Sequence, residues 1–240
     1  MIKPEGNNIV GSREMMAAQP FKNAVLGALH PAERDILFDR LLTKPIQAGE
    51  VLYEPGAPLI HMIFPHSGII SMQAILTDGR TIEKASVGRD SFVGIEYVLG
   101  ERISPCHAVV TIPGQASWLS TNDFESIFAN SEALRAVMME SSLRLVRNLM
   151  HAVVCASVHS ASQRVATWLL RAQDRSDTNQ FDLTQRTLAN IFGLRLATIS
   201  DACARLHAAG AIDQARGALT IVDREKLMVQ ACECYEKAIG

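Results

Sequence analysis

The pattern of apolar and polar positions changes character along the chain. Between residues 45 and 120, short apolar or alternating runs such as 51–53, 62–64 and 108–110 are separated by regularly spaced glycines, and Asp78-Gly79 is a tight-turn signal. Short strands joined by glycine turns predict a β-sandwich or roll. Residues 23–43 predict a small helical lead-in. Residues 1–20 show no periodicity, so we interpret them as a flexible N-terminal arm.

Residues 131–157 predict one long helix. Its apolar positions step by four and three residues, which is the spacing of a coiled-coil seam: Met139, Leu143, Val146, Met150 and Val153. A seam of this kind predicts that two copies of the chain pair through parallel helices. The alternative is a helix buried within one chain, because the seam extends over only about two heptads.

The region 183–224 has the spacing of a helix-turn-helix. Ala189 is small enough for close helix crossing, Gly193 suits the turn, and Ile199 is apolar on the second helix. The buried face of that helix is predicted at Ile199, Ala202, Cys203 and Leu206. The opposite face is small and polar, which suits a DNA major groove, and residues 210–221 resemble a hairpin wing. The alternative is an ordinary helical hairpin with a two-stranded appendage.

Candidate DNA contacts lie at the helix starts, on the outer helix face and at the wing tip: Thr184, Gln185, Arg186, Arg195, Thr198, Ser200, Asp201, Arg205 and Arg216. The whole chain has a net charge of −2, and the window 183–224 holds five arginines against three aspartates. Affinity for DNA is therefore expected to come from a few arginines positioned at the DNA surface, and from two copies of the chain binding together.

Composition narrows the class of protein. The chain has 240 residues, 48% hydrophobic and 20% charged, which predicts a globular protein of about two domains. No apolar run approaches the roughly 20 residues that span a bilayer, so we expect a cytoplasmic protein without a membrane partner. Five cysteines without a CxxC pair favour reduced thiols. No nucleophile elbow, phosphate loop or histidine–metal motif is present, so an enzyme is not expected.

Several motifs together resemble the Crp/Fnr family of bacterial transcription regulators, over about residues 25–235. In the glycine-rich half they are residues 49–56, Phe64-Pro65 with Gly68, Asp78-Gly79-Arg80, and Val87-Gly88-Arg89 with Gly94. In the C-terminal part they are Leu183-Thr184-Gln185, Gly193-Leu194-Arg195, Gly210-Ala211-Ile212, Arg216-Gly217 and Val222-Asp223-Arg224. The residues 231–235 are similar to a tail shared by one branch of the family.

The resemblance implies an α+β fold with an N-terminal double-stranded β-helix (a cupin-like β-roll), a long central dimerisation helix and a C-terminal winged helix-turn-helix. The implied boundaries are 21–130 for the roll, 131–157 for the helix and 158–240 for the DNA-binding domain. It also implies a homodimer whose roll senses a signal and whose reading helices bind a palindromic operator in double-stranded DNA. RNA polymerase is a further implied partner.

The implied effector pocket departs from the cyclic-nucleotide members of the family. Its residues here are Gly94, Glu96, Cys106 and His107. The Glu96 carboxylate comes one position later in the sequence than in those members. Cys106-His107 stands where those members carry an arginine followed by a residue with a hydroxyl group. Arg102 comes too early to be an obvious substitute. Because a cyclic phosphate needs a charge-assisted partner, we expect an unknown small-molecule or redox effector, and not cyclic AMP.

No cofactor or metal is expected, with haem or a metal as the minority alternative. Residues 1–30 contain no cysteine, and no ligand spacing selects His61, His66 or His107. Cys232 and Cys234 provide only two soft ligands, too few for a closed zinc site unless the dimer supplies the rest. A redox role for Cys106, Cys232 or Cys234 stays open. The competing function is an effector-binding or protein-interaction protein without specific DNA readout.

Overall fold

The computed structural model describes residues 22–215 and 217–237. The predicted arm at 1–20 and the candidate Arg216 therefore lie outside the described residues. Within them the chain forms a β-roll, a long central helix and a C-terminal helix-turn-helix with a small sheet. This order confirms the predicted α+β fold class. None of the helices in the described part is both long and apolar enough to cross a membrane.

Two short helices precede the roll. They are α1 (Ala24–Gly27) and α2 (Pro31–Phe38), and the first strand already begins at Leu42 within the predicted helical lead-in. Asn23 starts α1, because its side-chain oxygen accepts hydrogen bonds from the backbone N–H groups of Val25 and Leu26. Proline at the first position of α2 has no N–H to leave unsatisfied, which favours a helix start there.

The roll consists of two antiparallel sheets. Their strands are β1 (Leu42–Ile46), β2 (Val51–Tyr53), β3 (His61–Pro65), β4 (Ile69–Ile75), β5 (Thr81–Val87), β6 (His107–Ile112) and β7 (Gly114–Ser120). One sheet has the order β1-β7-β3 and the other β2-β6-β4-β5. Gly79, at a φ of 81°, turns the β4–β5 hairpin where Asp78-Gly79 predicted a turn. Phe64, Phe92 and Phe124 are fully buried in the core of the roll.

Three helices belong to or follow the roll. A short α3 (Ile95–Val98) lies between β5 and β6, and α4 (Thr121–Asn130) leads to α5 (Glu132–Val158). Ser131 separates the last two, and its side chain accepts from the backbone N–H of Leu134 to cap α5. Leu134 and Met138 bury the first turns of α5 in the roll. The long helix thus runs one residue later than the predicted 131–157.

The C-terminal part consists of α6 (Ala161–Ser176), β8 (Gln180–Phe181), α7 (Gln185–Phe192), α8 (Leu196–Ala208), β9 (Ile212–Ala215), β10 (Ala218–Ile221), α9 (Arg224–Gln230) and α10 (Cys234–Lys237). Its strands form a sheet of order β8-β10-β9. Val165, Leu188, Ile199 and Leu206 are fully buried between the three main helices. The hairpin β9–β10 therefore has the position of the predicted wing, directly after α8.

The C-terminal part packs on the edge strand β5 of its own roll. The indole Nε1 of Trp168 lies 3.2 Å from the Glu83 carboxylate, and the Arg175 guanidinium pairs with Asp90 at 2.7 Å. Nearby, Arg89 pairs with Asp177 at 2.6 Å. These contacts join α6 to the β5 region, so the two parts of the chain form one continuous structure.

Candidate DNA interface and sensor pocket

The helix-turn-helix is built by α7, a glycine turn and α8. Thr184 begins α7, and its hydroxyl accepts from the backbone N–H of Thr187 at 3.0 Å. Gly193 ends α7 with a φ of 62°, and the next N–H, of Leu194, returns to the carbonyl of Ala189 at 3.1 Å. Glycine favours this left-handed conformation because it has no Cβ. The turn residue predicted from spacing is therefore the residue that makes the turn.

The two faces of α8 differ as the pattern predicted. Its inner face is fully buried or nearly so at Ile199, Ala202, Cys203 and Leu206. Its outer face is exposed at Arg195, Thr198, Asp201 and Arg205, and Ser200 is half-buried. Leu196 and Ala197 are also exposed at the start of the helix. An exposed helix face of small and polar residues can enter a major groove without steric conflict.

Three arginines give this surface its positive charge. Arg186, Arg195 and Arg205 are exposed, and none of their guanidinium groups has a hydrogen-bond or ion-pair partner among residues 22–215 and 217–237. Side chains of this kind are available for phosphates or base edges. Gln185 differs, because its amide donates to Gln214 of β9 at 2.9 Å and so links the first helix to the wing. Which of the candidates contact DNA stays a prediction.

The four predicted effector residues are distributed around α3 and the start of β6. Gly94 is buried at a φ of 106°, and a Cβ there would lie 2.8 Å from the Met62 sulfur. Glu96 and His107 each have a buried atom without a hydrogen-bond partner in the described chain, Oε2 and Nδ1 respectively. Burial, together with the nearby Glu96 carboxylate, raises the pKa of the Cys106 thiol. Cys106 is thus a neutral thiol beside a carboxylate.

The arginine closest in sequence to this pocket is used elsewhere. The Arg102 guanidinium lies over the Tyr97 ring, 4.0 Å from its centre, and pairs with Glu125 at 3.1 Å. The cation that does reach the loop before β6 is Lys84 of β5, which donates to the Pro105 carbonyl at 3.4 Å. The candidate effector residues therefore offer carboxylate, thiol and imidazole groups, with one exposed lysine beside them.

Two residues that sequence reasoning did not single out lie beside the C-terminal cysteines. Cys155 and His159, at the end of α5, contact Cys232 and Cys234. Burial and the neighbouring thiols raise the pKa of Cys155 to about 12. A cysteine followed four positions later by a histidine, at the predicted end of the long helix, is the sequence signal that could have identified them.

Two family models match the chain, in the order of its two parts. A cyclic nucleotide-binding domain matches residues 43–131, and a Crp-like helix-turn-helix domain matches residues 163–229. Together they span well over half of the chain. No curated protein matches the sequence.

Several solved structures share the fold. FixK2 from Bradyrhizobium japonicum has a TM-score of 0.67 at 18% identity, covering 80% of this chain and 98% of that one. A CRP-family transcriptional regulator from Thermus thermophilus has a TM-score of 0.66 at 17% identity, covering 78% and 96%. The c-di-GMP-responsive regulator CLP from Xanthomonas campestris has a TM-score of 0.60 at 13% identity, covering 81% and 100%.

The motif resemblance, the matching domain models and the observed roll, long helix and helix-turn-helix agree with one another. The helix-turn-helix supports binding to DNA, and the family consists of regulators that are not enzymes. The chain belongs to the Crp/Fnr family of transcription regulators, with a cyclic-nucleotide-binding-type domain followed by a Crp-like DNA-binding domain.

Proposed function

We propose that this regulator is a homodimer that reads a palindromic DNA site and whose roll senses a signal other than cyclic AMP. The observation that carries the proposal is the exposed face of α8, where the exposed Arg195 and Arg205 flank small polar residues beside the wing. The proposal places the protein in the cytoplasm, with RNA polymerase as a further partner.

The dimer is supported by the exposed apolar side of α5. Its five seam residues have the following exposed fractions: Met139 50%, Leu143 48%, Val146 46%, Met150 66% and Val153 68%. Val154 and Val158 continue the apolar surface towards the end of the helix. A continuous apolar stripe of this kind marks an interaction surface, and coiled-coil spacing fits a second copy of the same helix.

A two-fold dimer doubles the weak charge of the DNA surface. Two copies of α8 separated by about 34 Å would reach successive major grooves on one side of the duplex. Arg195 begins the reading helix, where a guanidinium can bind guanine through two hydrogen bonds or hold a phosphate. Arg186, at the start of α7, would hold a phosphate. Such contacts set affinity and register, whereas base contacts set sequence preference.

The signal is proposed to pass from the pocket to the DNA-binding domain through β5. Lys84 contacts the loop before β6, whereas Glu83 contacts Trp168 and Ile82 contacts the turn of the helix-turn-helix. A Cβ added at Gly193 would lie 3.1 Å from the Ile82 side chain, so the turn is packed closely against the strand. A change in the pocket that moves β5 would therefore move the reading helix. Two global states with different DNA affinity would follow.

The test is DNA binding by the purified full-length chain, measured by fluorescence anisotropy on a site selected from genomic fragments. Arg195→Ala should weaken binding by about 1–3 kcal/mol per site if the side chain binds a base. Arg186→Ala should weaken binding similarly for all sequences and reduce the salt dependence by about one counterion. The matched control is Arg80→Ala, since Arg80 is an exposed arginine paired with Asp78 on the roll hairpin.

Unchanged affinity in both Arg186→Ala and Arg195→Ala would contradict the DNA-reading role. The helix-turn-helix would then act only in packing, and the interaction-protein alternative would replace it. Binding that persists but ignores sequence would retain the phosphate contacts and remove the palindromic readout.

A further inference from the structure

Four metal-binding side chains meet where α5 ends. Cys155 lies in the last turn of α5, and His159 directly follows the helix. Cys232 lies between α9 and α10, and Cys234 is the first residue of α10. The four donor atoms all lie within 4.8 Å of one another. The sulfurs of Cys155 and Cys232 lie 3.6 Å apart, and the sulfur of Cys234 lies 3.7 Å from Nδ1 of His159.

These separations fit one tetrahedral metal ion. Zinc–sulfur bonds of about 2.3 Å in a tetrahedron place two sulfurs about 3.8 Å apart, and a zinc–nitrogen bond of about 2.0 Å shortens a sulfur–nitrogen edge only slightly. An iron–sulfur cluster distributes its ligands over two or more irons, so they surround a larger group than a single metal ion. Three cysteines and one histidine are a known ligand set for structural zinc.

The surroundings of the cluster orient its members. The other ring nitrogen of His159, Nε2, lies 3.1 Å from the Glu233 carboxylate, which leaves Nδ1 to face the sulfur of Cys234. A carboxylate on the far nitrogen is the usual support of a metal-bound histidine. The Thr167 hydroxyl lies 3.1 Å from the sulfur of Cys232 and also accepts from the Cys232 N–H.

A cation lies beside the cluster. Three thiolates and one Zn²⁺ carry a net charge of −1, which would need a nearby cation in a partly buried site. Arg171 provides it, because its guanidinium donates to the Cys234 carbonyl at 2.6 Å. Its Nε is buried and has no hydrogen-bond partner within the described residues.

We propose that Cys155, His159, Cys232 and Cys234 form a structural site for one Zn²⁺ per chain. All four positions are filled by the protein, so the ion would have no open coordination site and no catalytic role. Binding would release the thiol protons to solvent as the sulfur–metal bonds form, without oxidation or reduction.

The position of the site gives it a mechanical consequence. The chain passes from α5 to α6 through His159 and Ser160, so one ligand lies in that connection and two lie in the C-terminal segment. The ion would join the end of the long helix to the tail that packs on α6. It would therefore restrict the angle between the long helix and the DNA-binding domain.

The experiment measures zinc in freshly purified full-length protein by elemental analysis, and the intact mass by native mass spectrometry. The expected result is one zinc per chain. Cys232→Ala and His159→Ala should each reduce this to near zero. Cys106→Ala and Cys203→Ala are the matched controls, since both are buried cysteines outside the cluster, and they should keep one zinc.

The variant Glu233→Gln distinguishes a metal site from a cluster of packed thiols without metal. It should keep one zinc per chain but weaken the affinity about tenfold to a hundredfold in competition with a chelator, because the histidine loses its supporting carboxylate. A zinc affinity equal to that of the wild type would show that Glu233 does not support the metal-bound histidine. If the cysteine variants do not fold, wild-type protein is first stripped of metal with a chelator and then titrated with Co²⁺. The absorption bands of tetrahedral Co²⁺ bound to thiolates should reach their full intensity at one equivalent of Co²⁺ per chain.

Two outcomes would overturn the proposal. The first is wild-type protein that holds no zinc and takes up none of the zinc or cobalt that is added. The second is a mass two hydrogens lower under anaerobic purification, with a Cys155–Cys232 disulfide mapped by proteolysis and no metal bound. Equal zinc content in the wild type, Cys232→Ala and His159→Ala would also reject these ligands.

Discussion

At the scale of single residues, Asn23 shows how one buried side chain can join distant segments. Its amide donates to the carbonyls of Pro65 and Ser91, both at 2.8 Å, while its oxygen caps α1. The residue is fully buried. Buried carbonyls that lose a donor keep their desolvation penalty, so the side chain stabilises the lead-in, β3 and the segment before α3 together.

Asn23→Ala should lower the free energy of unfolding of the roll by about 2–4 kcal/mol, because two buried carbonyls and a helix cap lose their partner. Urea unfolding followed by Trp118 fluorescence, in a Trp168→Phe background, would report the roll alone. The control is Asn148→Ala on α5, which should change stability by less than about 0.5 kcal/mol. Equal effects of the two substitutions would contradict this role of Asn23.

Cys106 determines the second prediction at this scale. A cyclic phosphate at Cys106-His107 would meet a neutral thiol and the Glu96 carboxylate, and would lose roughly 2–4 kcal/mol relative to a site with a bidentate arginine. Calorimetry should therefore show no cyclic AMP or cyclic GMP binding at micromolar concentrations, and DNA binding should not require either. Low-micromolar affinity that is abolished in Lys84→Ala would show that the lysine replaces the arginine.

At the scale of elements, α5 performs two packing tasks in succession. Its first turns bury Leu134 and Met138 in the roll, and its later turns leave the seam exposed. The change occurs near Ser141 and Ser142, which are buried although polar, the second donating its hydroxyl to the Met138 carbonyl at 2.8 Å. One helix can therefore join the roll and still present an apolar side to a second chain.

Met150→Glu should dissociate the proposed dimer. Each chain would place an unpaired carboxylate in the seam, and a buried charge without a partner costs about 3–5 kcal/mol. The dimer dissociation constant should rise by at least about a hundredfold in sedimentation velocity measurements. Asn148→Glu adds the same charge on the opposite side of the same helix and should leave the dimer intact. A fully dimeric Met150→Glu protein would contradict the seam assignment.

At the scale of the whole molecule, the contact between β5 and the C-terminal part determines how the two domains are oriented. Arg175 of α6 has only 15% of its side chain exposed. Its guanidinium pairs with Asp90 and donates to the Ser86 carbonyl, both of which belong to the roll. Trp168 lies in the same contact, hydrogen-bonded to Glu83. A partly buried arginine that loses its carboxylate partner destabilises the interface in which it lies.

Asp90→Ala should loosen this interface by about 1–3 kcal/mol, because the Arg175 guanidinium would be left without a counter-charge. Trp168 reports the change, and its emission should shift to the red with stronger acrylamide quenching in a Trp118→Phe background. Asp78→Ala is the control, since it breaks the exposed Asp78–Arg80 pair at the hairpin end. Quenching that is unchanged in Asp90→Ala would show that the ion pair does not hold the domains together.

The sequence by itself determined which residues of α8 face inward. The period of α8 predicted its buried residues, and Gly193 predicted the turn, because helix geometry sets which neighbours share a face and only glycine enters a left-handed turn easily. The exposed seam of α5 followed from the same periodicity. Each of these depends on neighbours within about two turns of the chain.

Only the tertiary structure decided which distant residues meet. Cys155 and Cys232 are 77 positions apart, and their approach depends on how α6, the helix-turn-helix and α9 pack in between. Among the cysteines, only Cys232 and Cys234 are close together along the sequence, whereas the fold adds Cys155 and His159 from the same chain. The position of Lys84 and Ile82 on β5, between the pocket and the turn, has the same origin. Local spacing sets faces, but contacts across long loops are set by the packing of the whole chain.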